Sequence, residues 1–175
     1  MARSAGEDGA VSADDQRVIV RQAVEEDDAA LLAIEQVAWD ATSGFPSYGE
    51  TLQDTFFTRS GPEAHLVAEY GGKVVGYVRL QDKYPFPEGA GVLAINGIAV
   101  APEARRLGVG DALMEAVTAE ARHRGARKIS LHVHHVNEKA RRLYERHGYV
   151  VEGIHPAEFL IEGAPVDALD MAKTL

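Results

Sequence analysis

Arg105-Arg106-Leu107-Gly108-Val109-Gly110 is the stretch of this chain whose residue types and spacing suit an anion. It follows an apolar run, Ile95 to Val100, that reads as a β-strand. Pro102 stops that strand because it lacks an N–H and restricts the residue before it. A long helical pattern begins at the loop's end. Strand, glycine loop and helix start together present several backbone N–H groups to an anion, and the helix dipole adds favourable potential. A Cβ at Gly108 or Gly110 would hinder backbone approach to phosphate oxygens, while Arg105 and Arg106 bring full positive charges nearby.

Further along, Lys128 to His134 alternates as a strand, with Ile129, Leu131 and Val133 on one face and Ser130, His132 and His134 on the other. An imidazole there can accept a proton near neutral pH. His132, His134 and His135 also look like a metal patch, but no further ligand follows at a defining spacing, so no metal is expected. Asn137 then stands at a helix start, where it can cap orphan N–H groups. Ala140, Leu143, Tyr144 and His147 recur at helical spacing, so Tyr144 belongs to an apolar stripe and can be read as a packed tyrosine or as a proton donor.

The loop R-x-x-G-x-G at Arg105–Gly110 and N-x-x-A-x-x-L-Y-x-x-x-G-Y at Asn137–Tyr149 resemble the paired motifs of the GCN5-related N-acetyltransferases, the GNAT superfamily. The resemblance extends from Val18 to Leu175. It implies that acetyl-CoA is the co-substrate, its pyrophosphate held by Arg105, Arg106, Leu107, Gly108, Val109, Gly110 and Asp111. Ile98, Ala99 and Val100 would pair through their backbone with the pantetheine, and Asn137 would reach toward the same ligand. Tyr144 matches the family's general acid near the coenzyme A sulfur. The implied reaction is direct acetyl transfer to a primary amine of a small molecule or peptide.

The general base departs from the usual pattern. Many members carry a glutamate aligned near Ala94, and no carboxylate occurs from Val92 to Ala101. Ribosomal-protein N-terminal acetyltransferases place a glutamate five residues before the motif asparagine, and that position here is His132. His132 is therefore the candidate base, with His134 on the same strand face. The resemblance also makes the Trp39–Tyr48 segment one wall of the acceptor site, with Trp39, Phe45, His134 and His155 as substrate-binding candidates. Trp39 and Phe45 covering the core is the alternative.

These groups need a scaffold. The resemblance implies an α/β fold, a mixed, mostly antiparallel, splayed sheet of about seven strands flanked by about four helices. Residues 1–16 read as a disordered tail, because little there can be buried to offset ordering, and residues 17–175 as the acetyltransferase domain. Val18 opens a strand, and Glu25 to Asp28 form the acidic first turn of a helix carrying Leu31, Leu32, Ile34, Glu35 and Ala38. Ser47-x-x-Glu50 has capping-box spacing and predicts a second helix to Arg59. Gly71-Gly72 turns a hairpin between Ala64–Tyr70 and Lys73–Gln81. Gly97 inside the strand Val92–Val100 marks a bulge or a close approach. Val109, Leu113, Val117 and Ala121 stripe the helix after the loop. Two last strands, Tyr149–Ile154 and Pro165–Met171, are expected to join through His155-Pro156.

Composition bounds the partners. The 175 residues are 46% hydrophobic and 26% charged, with a net charge of −9, which argues against nucleic acid and anionic membrane surfaces. The absence of cysteine excludes disulfides and thiol nucleophiles and fits a cytoplasmic setting. No apolar run approaches a membrane span, and the first residues hold no hydrophobic signal core. A homodimer is left open. A non-catalytic acyl-CoA sensor is the rival reading should nothing replace the missing glutamate. A nucleotide-binding protein is disfavoured by the lack of G-x-x-x-x-G-K-[ST].

Overall fold

A computed structural model describes residues 16–175. Apart from Gln16, the tail expected over residues 1–16 lies outside the described residues. The elements are β1 (Ile19–Gln22), α1 (Asp28–Ala38), β2 (His65–Tyr70), β3 (Lys73–Asp82), β4 (Val92–Val100), α2 (Val109–His123), β5 (Lys128–His134), α3 (Glu138–Arg146), β6 (Val150–Ile161) and β7 (Ala164–Thr174). The strands form one 7-stranded sheet in the order β1-β2-β3-β4-β5-β7-β6. Every pairing is antiparallel except β4 with β5. A parallel pair needs a crossover, which α2 provides.

The two longer helices cover opposite faces of this sheet, as adjacent residues of β3 reveal. A Cβ on Gly76 would lie 3.1 Å from Val109 of α2, whereas the next residue, Tyr77, donates its hydroxyl to Glu35 of α1. Neighbouring strand residues point to opposite faces. On α1 the buried positions Leu31, Ile34, Glu35 and Ala38 follow helical spacing, so a carboxylate rides on the apolar stripe. On α2, Val109, Leu113, Met114, Val117 and Ala121 are buried, with Leu113 wholly so. Burying such a side chain contributes about 1.5–3 kcal/mol. Its truncation to Ala costs about 2–5 kcal/mol, because the cavity collapses only in part.

The feature that positions the site is a parting of strands. Parallel pairing of β4 with β5 runs from Val92 opposite Lys128 to Ile95 opposite Leu131 and stops there. Both strands continue, β4 to Val100 and β5 to His134, so their far ends diverge. Just beyond the last pair, β4 carries a bulge. Arg79 faces Gly97 and Leu80 faces Ile95, which leaves Asn96 as the extra residue. An extra residue bends its strand and increases the local twist, and here it turns β4 away from its neighbour. Gly97 is thus the residue beside the bulge, close enough to the Tyr77 ring that a Cβ would lie 3.5 Å from it.

Two local expectations are corrected. The helix predicted from Ser47 to Arg59 is a single 3-10 turn, Tyr48–Thr51, and Ser47 makes no side-chain capping bond. The described residues therefore hold three α-helices where about four were expected. The segment is drawn away from helical geometry by distant partners. Asp28 Oδ1 accepts from the backbone of Phe56 and of Phe57, each at 2.9 Å, and Phe56 packs edge-on against Tyr77 with centroids 5.0 Å apart. Propensity is a weak prior against such contacts. The second correction concerns His155-Pro156, which lies inside β6 at a register shift rather than in the connection. The hairpin turn falls instead at Glu162-Gly163, both with positive φ. Gly72, in the expected hairpin turn of β2 and β3, has φ 72° as that turn requires.

Candidate active site

Where β4 and β5 part there is a cavity of about 390 Å³. It brings together Ile98, His132, His134, Asn137 and Tyr144, and on its other side Trp39 and Phe45. The remaining candidates stand outside its lining. Ala99 and Val100 continue β4, Arg105 to Asp111 form the loop and first turn of α2, and His155 lies behind His132.

The loop is shaped by one torsion. Gly108 caps α2 with φ 79°, in the left-handed region that a β-carbon disfavours. The first intrahelical bond, Ala112 N–H to Gly108 O at 3.0 Å, leaves the N–H groups of Val109, Gly110 and Asp111 ahead of it. The glycines serve different ends. A Cβ at Gly108 would meet nothing within 4 Å, whereas at Gly110 it would press on Leu143 of α3 at 3.3 Å. Gly108 is thus required by backbone geometry and Gly110 by close helix packing. Arg105 reaches back to Ala38 O at 3.2 Å, and Arg106 is exposed with φ 67°. Asp111 is tied to the end of α3 by His147 Nε2 at 2.7 Å and Arg146 Nη2 at 2.9 Å. Burial pushes its carboxyl up, but the bonds from His147 and Arg146 outweigh that and hold it below the usual range.

Asn137 caps α3, its Oδ1 accepting from Ala140 N–H at 3.1 Å, and its Nδ2 donates to Ser43 O at 3.3 Å. One side chain therefore fixes a helix start and anchors the Trp39–Tyr48 segment. Tyr144 is buried, its ring 6.0 Å from that of Tyr149, and burial raises its phenol well above the usual range. It stays protonated, hence a donor.

The histidines of β5 differ although they share a face, their rings 6.4 Å apart. His134 is 3% exposed, stacked on Phe45 at 4.4 Å and against Phe159 at 4.2 Å. Its Nδ1 lies 3.0 Å from Gly44 O, which makes it the N–H donor there. Burial lowers its pKa despite that bond. His132 is exposed, and its Nδ1 lies 2.9 Å from Asp170 Oδ1. The other oxygen of Asp170 holds His155 Nε2 at 2.7 Å. Donation from Nδ1 to the carboxylate leaves His132 Nε2 as the proton acceptor. A bond to Asp170, then its charge, raises His155 above its ordinary value.

Sequence reasoning passed over Asp170, Glu35, Arg59 and Arg79. Glu35 is 3% exposed and accepts from Trp39 Nε1 at 3.0 Å and from the Tyr77 hydroxyl. Its one signal in sequence was a carboxylate on the buried stripe of α1. Burial, then the negative charge of Glu35, raises the phenol of Tyr77, and the same causes push Tyr48 up to about 12. His132, His155 and Asp170 also bring ligand atoms within 4.8 Å of one another, a grouping with cation-binding donors that sequence spacing could not reveal.

Comparison with known proteins follows the geometry. The family model described as "Acetyltransferase (GNAT) family" matches residues 30–149. The chain is similar to the uncharacterized N-acetyltransferase YhfO of Bacillus subtilis, 34% identical over 84 residues, covering 48% of this chain and 56% of that protein. It is also similar to the 5-NmdU N-acetyltransferase of Pseudomonas phage PaMx11, 38% identical over 87 residues, covering 50% of this chain and 57% of the relative. The chain thus spans a little over half the length of these curated relatives. Among solved structures, a GCN5-related N-acetyltransferase from Kribbella flavida superposes with a TM-score of 0.72 at 28% identity, covering 90% of this chain and 98% of that one. No helix among the described residues is long and apolar enough to cross a membrane.

Proposed function

Because the chain belongs to the Acetyltransferase (GNAT) family, we propose that it moves an acetyl group from acetyl-CoA to a primary amine within a ternary complex. The observation that carries this reading is the cavity between β4 and β5, whose lining includes both Tyr144 and His132. Bound there, acetyl-CoA supplies an activated acyl carbon. The residues present fit it. Gly108 bares the start of α2, Arg106 is exposed beside it, and the far half of β4 has no strand on its β5 side. Arg105 to Asp111 would hold the pyrophosphate, and the backbone of Ile98 to Val100 the pantetheine.

The chain then has to move protons. His132 Nε2 accepts one from the attacking amine, with Asp170 fixing the ring's orientation and stabilising the imidazolium. Tyr144 donates its phenolic proton to the departing sulfur as the carbon–sulfur bond breaks. His134 is a wall of the acceptor space, its ring held between Phe45 and Phe159. No side chain needs to become acylated, which suits a chain without cysteine.

The test is thiol release from acetyl-CoA over a panel of primary amines, alongside calorimetry of acetyl-CoA binding. Turnover with at least one amine is expected. Tight binding without turnover on any amine would overturn transfer in favour of a binding module.

A further inference from the structure

The acceptor side of the cavity has charge to spare. Its charged lining consists of Glu35, Arg59 and Arg79. Glu35 is already taken by Trp39 and Tyr77, and its 3% exposure keeps it from a ligand. The arginines are in the opposite condition. Arg79 donates from Nη2 to Asn96 O at 2.7 Å, but its Nε is buried without a hydrogen-bond partner. Neither arginine forms an ion pair among the described residues. A buried donor left unmet is costly, so an arginine that carries one at a cavity wall marks a place for an acceptor. The charges of both arginines act on the Tyr48 phenol, opposing its upward shift, so they converge on one region. This stands against the −9 charge of the whole chain.

Resting on the transfer reading above, we propose that Arg79, with Arg59, forms a subsite for the carboxylate of a small amine acceptor, so that the substrate class is an amino acid. A planar guanidinium matches a carboxylate in bidentate fashion, and Arg59 adds a second positive charge to the same lining. The bulge at Asn96 helps to hold the group in place, because the Asn96 carbonyl takes Arg79 Nη2 at 2.7 Å while the arginine lines the cavity. A cavity of about 390 Å³ has room for a free amino acid beside Trp39 and Tyr48.

Matched pairs test it: L-phenylalanine, L-leucine and L-lysine against their carboxamides, with 2-aminoethylphosphonate as a second anion. Both kcat/KM for acetylation and calorimetric binding in the presence of coenzyme A are read. The acids are expected to exceed their amides by roughly 10–100-fold, the worth of a charge-assisted pair. In Arg79→Gln that ratio should collapse toward one through KM, and Arg59→Gln should lower it in part. Arg142→Gln, exposed on α3 and paired with Glu138, is the charge control and should leave the ratio intact. Amides equal to acids, a preference for the phosphonate, or a ratio that survives both variants would each overturn the subsite. Arg79-dependent binding of the acids without any acetylation would keep the subsite and sink the transfer reading; acetylation of uncharged amines alone would do the reverse.

Discussion

The start of α2 and the cavity between β4 and β5 are built by opposite means. Arg105 to Asp111, the loop and first turn of α2, are seven consecutive residues, and what they offer is backbone N–H groups set by one torsion at Gly108. The cavity wall is made of side chains that arrive separately: Trp39 and Phe45 from the segment after α1, Arg79 from β3, His132 and His134 from β5. A backbone site is sensitive to conformation and indifferent to most side chains. A side-chain site is sensitive to packing at places far from it. Substitutions that strike only one side should therefore separate cofactor affinity from acceptor use.

The largest effect is expected from Gly108→Glu. It forces a β-branchless but carboxylated side chain into the left-handed region and sets a like charge against the proposed pyrophosphate. Loss of charge-assisted bonds worth about 1.5–3 kcal/mol each should weaken acetyl-CoA binding by more than about a hundredfold. Calorimetry on the folded variant checks this, and unchanged affinity removes the loop from the site. Next comes Tyr144→Phe, which keeps the ring and deletes the hydroxyl. A drop in kcat of about 10²–10⁴-fold with acetyl-CoA affinity near wild type is expected. Unaltered turnover makes Tyr144 a packing residue only.

His132→Gln belongs to the acceptor side. If the neutral imidazole takes the amine's proton, kcat/KM falls as pH drops, and that limb should vanish along with about 10²-fold of rate in the variant. Asp170→Asn should also lower the rate and move the limb to lower pH, because it removes the carboxylate that orients the ring and stabilises the imidazolium. A limb that persists in His132→Gln, measured with an acceptor that does not titrate there, assigns the base elsewhere. Smaller still is Gly44→Ala. Gly44 has φ 88°, and a Cβ would fall 2.2 Å from His134 Nδ1, so the His134–Gly44 bond must break. The acceptor KM should rise by about tenfold while acetyl-CoA affinity holds, since a positive φ and a lost bond each cost on the order of 1–2 kcal/mol at a site remote from the loop. Equal losses on both sides would erase the division drawn here.

The smallest effect is on stability against pH. Burial lowers the pKa of His65 and of His134 below their ordinary 6.5. The unfolded chain then binds more protons than the folded one between the two values, so stability rises with pH and is lost on acidification through that window. His155 is shifted upward by its bond to Asp170 and acts in the opposite sense, but its side chain is 42% exposed, so solvent screens that contribution. Of denaturant midpoints measured at pH 5.5 and 7.5, the one at pH 5.5 should be the lower. The lowered carboxyl of Asp27, bonded to Arg21, matters only at more acidic pH. A flat or inverted profile would mean that the buried imidazoles are not held neutral.

Much of this molecule was readable in the chain itself, and the reason is locality. Pro102, Gly108 and the stripe Val109, Leu113, Val117 and Ala121 act on their own neighbours, so strand, loop and helix followed from contiguous residues. Asn137 was legible as a cap for the same reason, its partner being three residues away. The same local logic failed between Ser47 and Arg59, where Asp28 takes the backbone of Phe56 and Phe57 from across the chain. What folding alone revealed lies at long range. Gly44 meets His134 across 90 positions, His132 meets Asp170 across 38, and Tyr77 meets Glu35 across 42. No periodicity encodes such pairs, because each depends on where two strands diverge and which side chains the gap leaves facing one another. The orphan Nε of Arg79 is the same kind of fact: an arginine in a strand is unremarkable until the bulge at Asn96 and the cavity wall decide which of its donors is met.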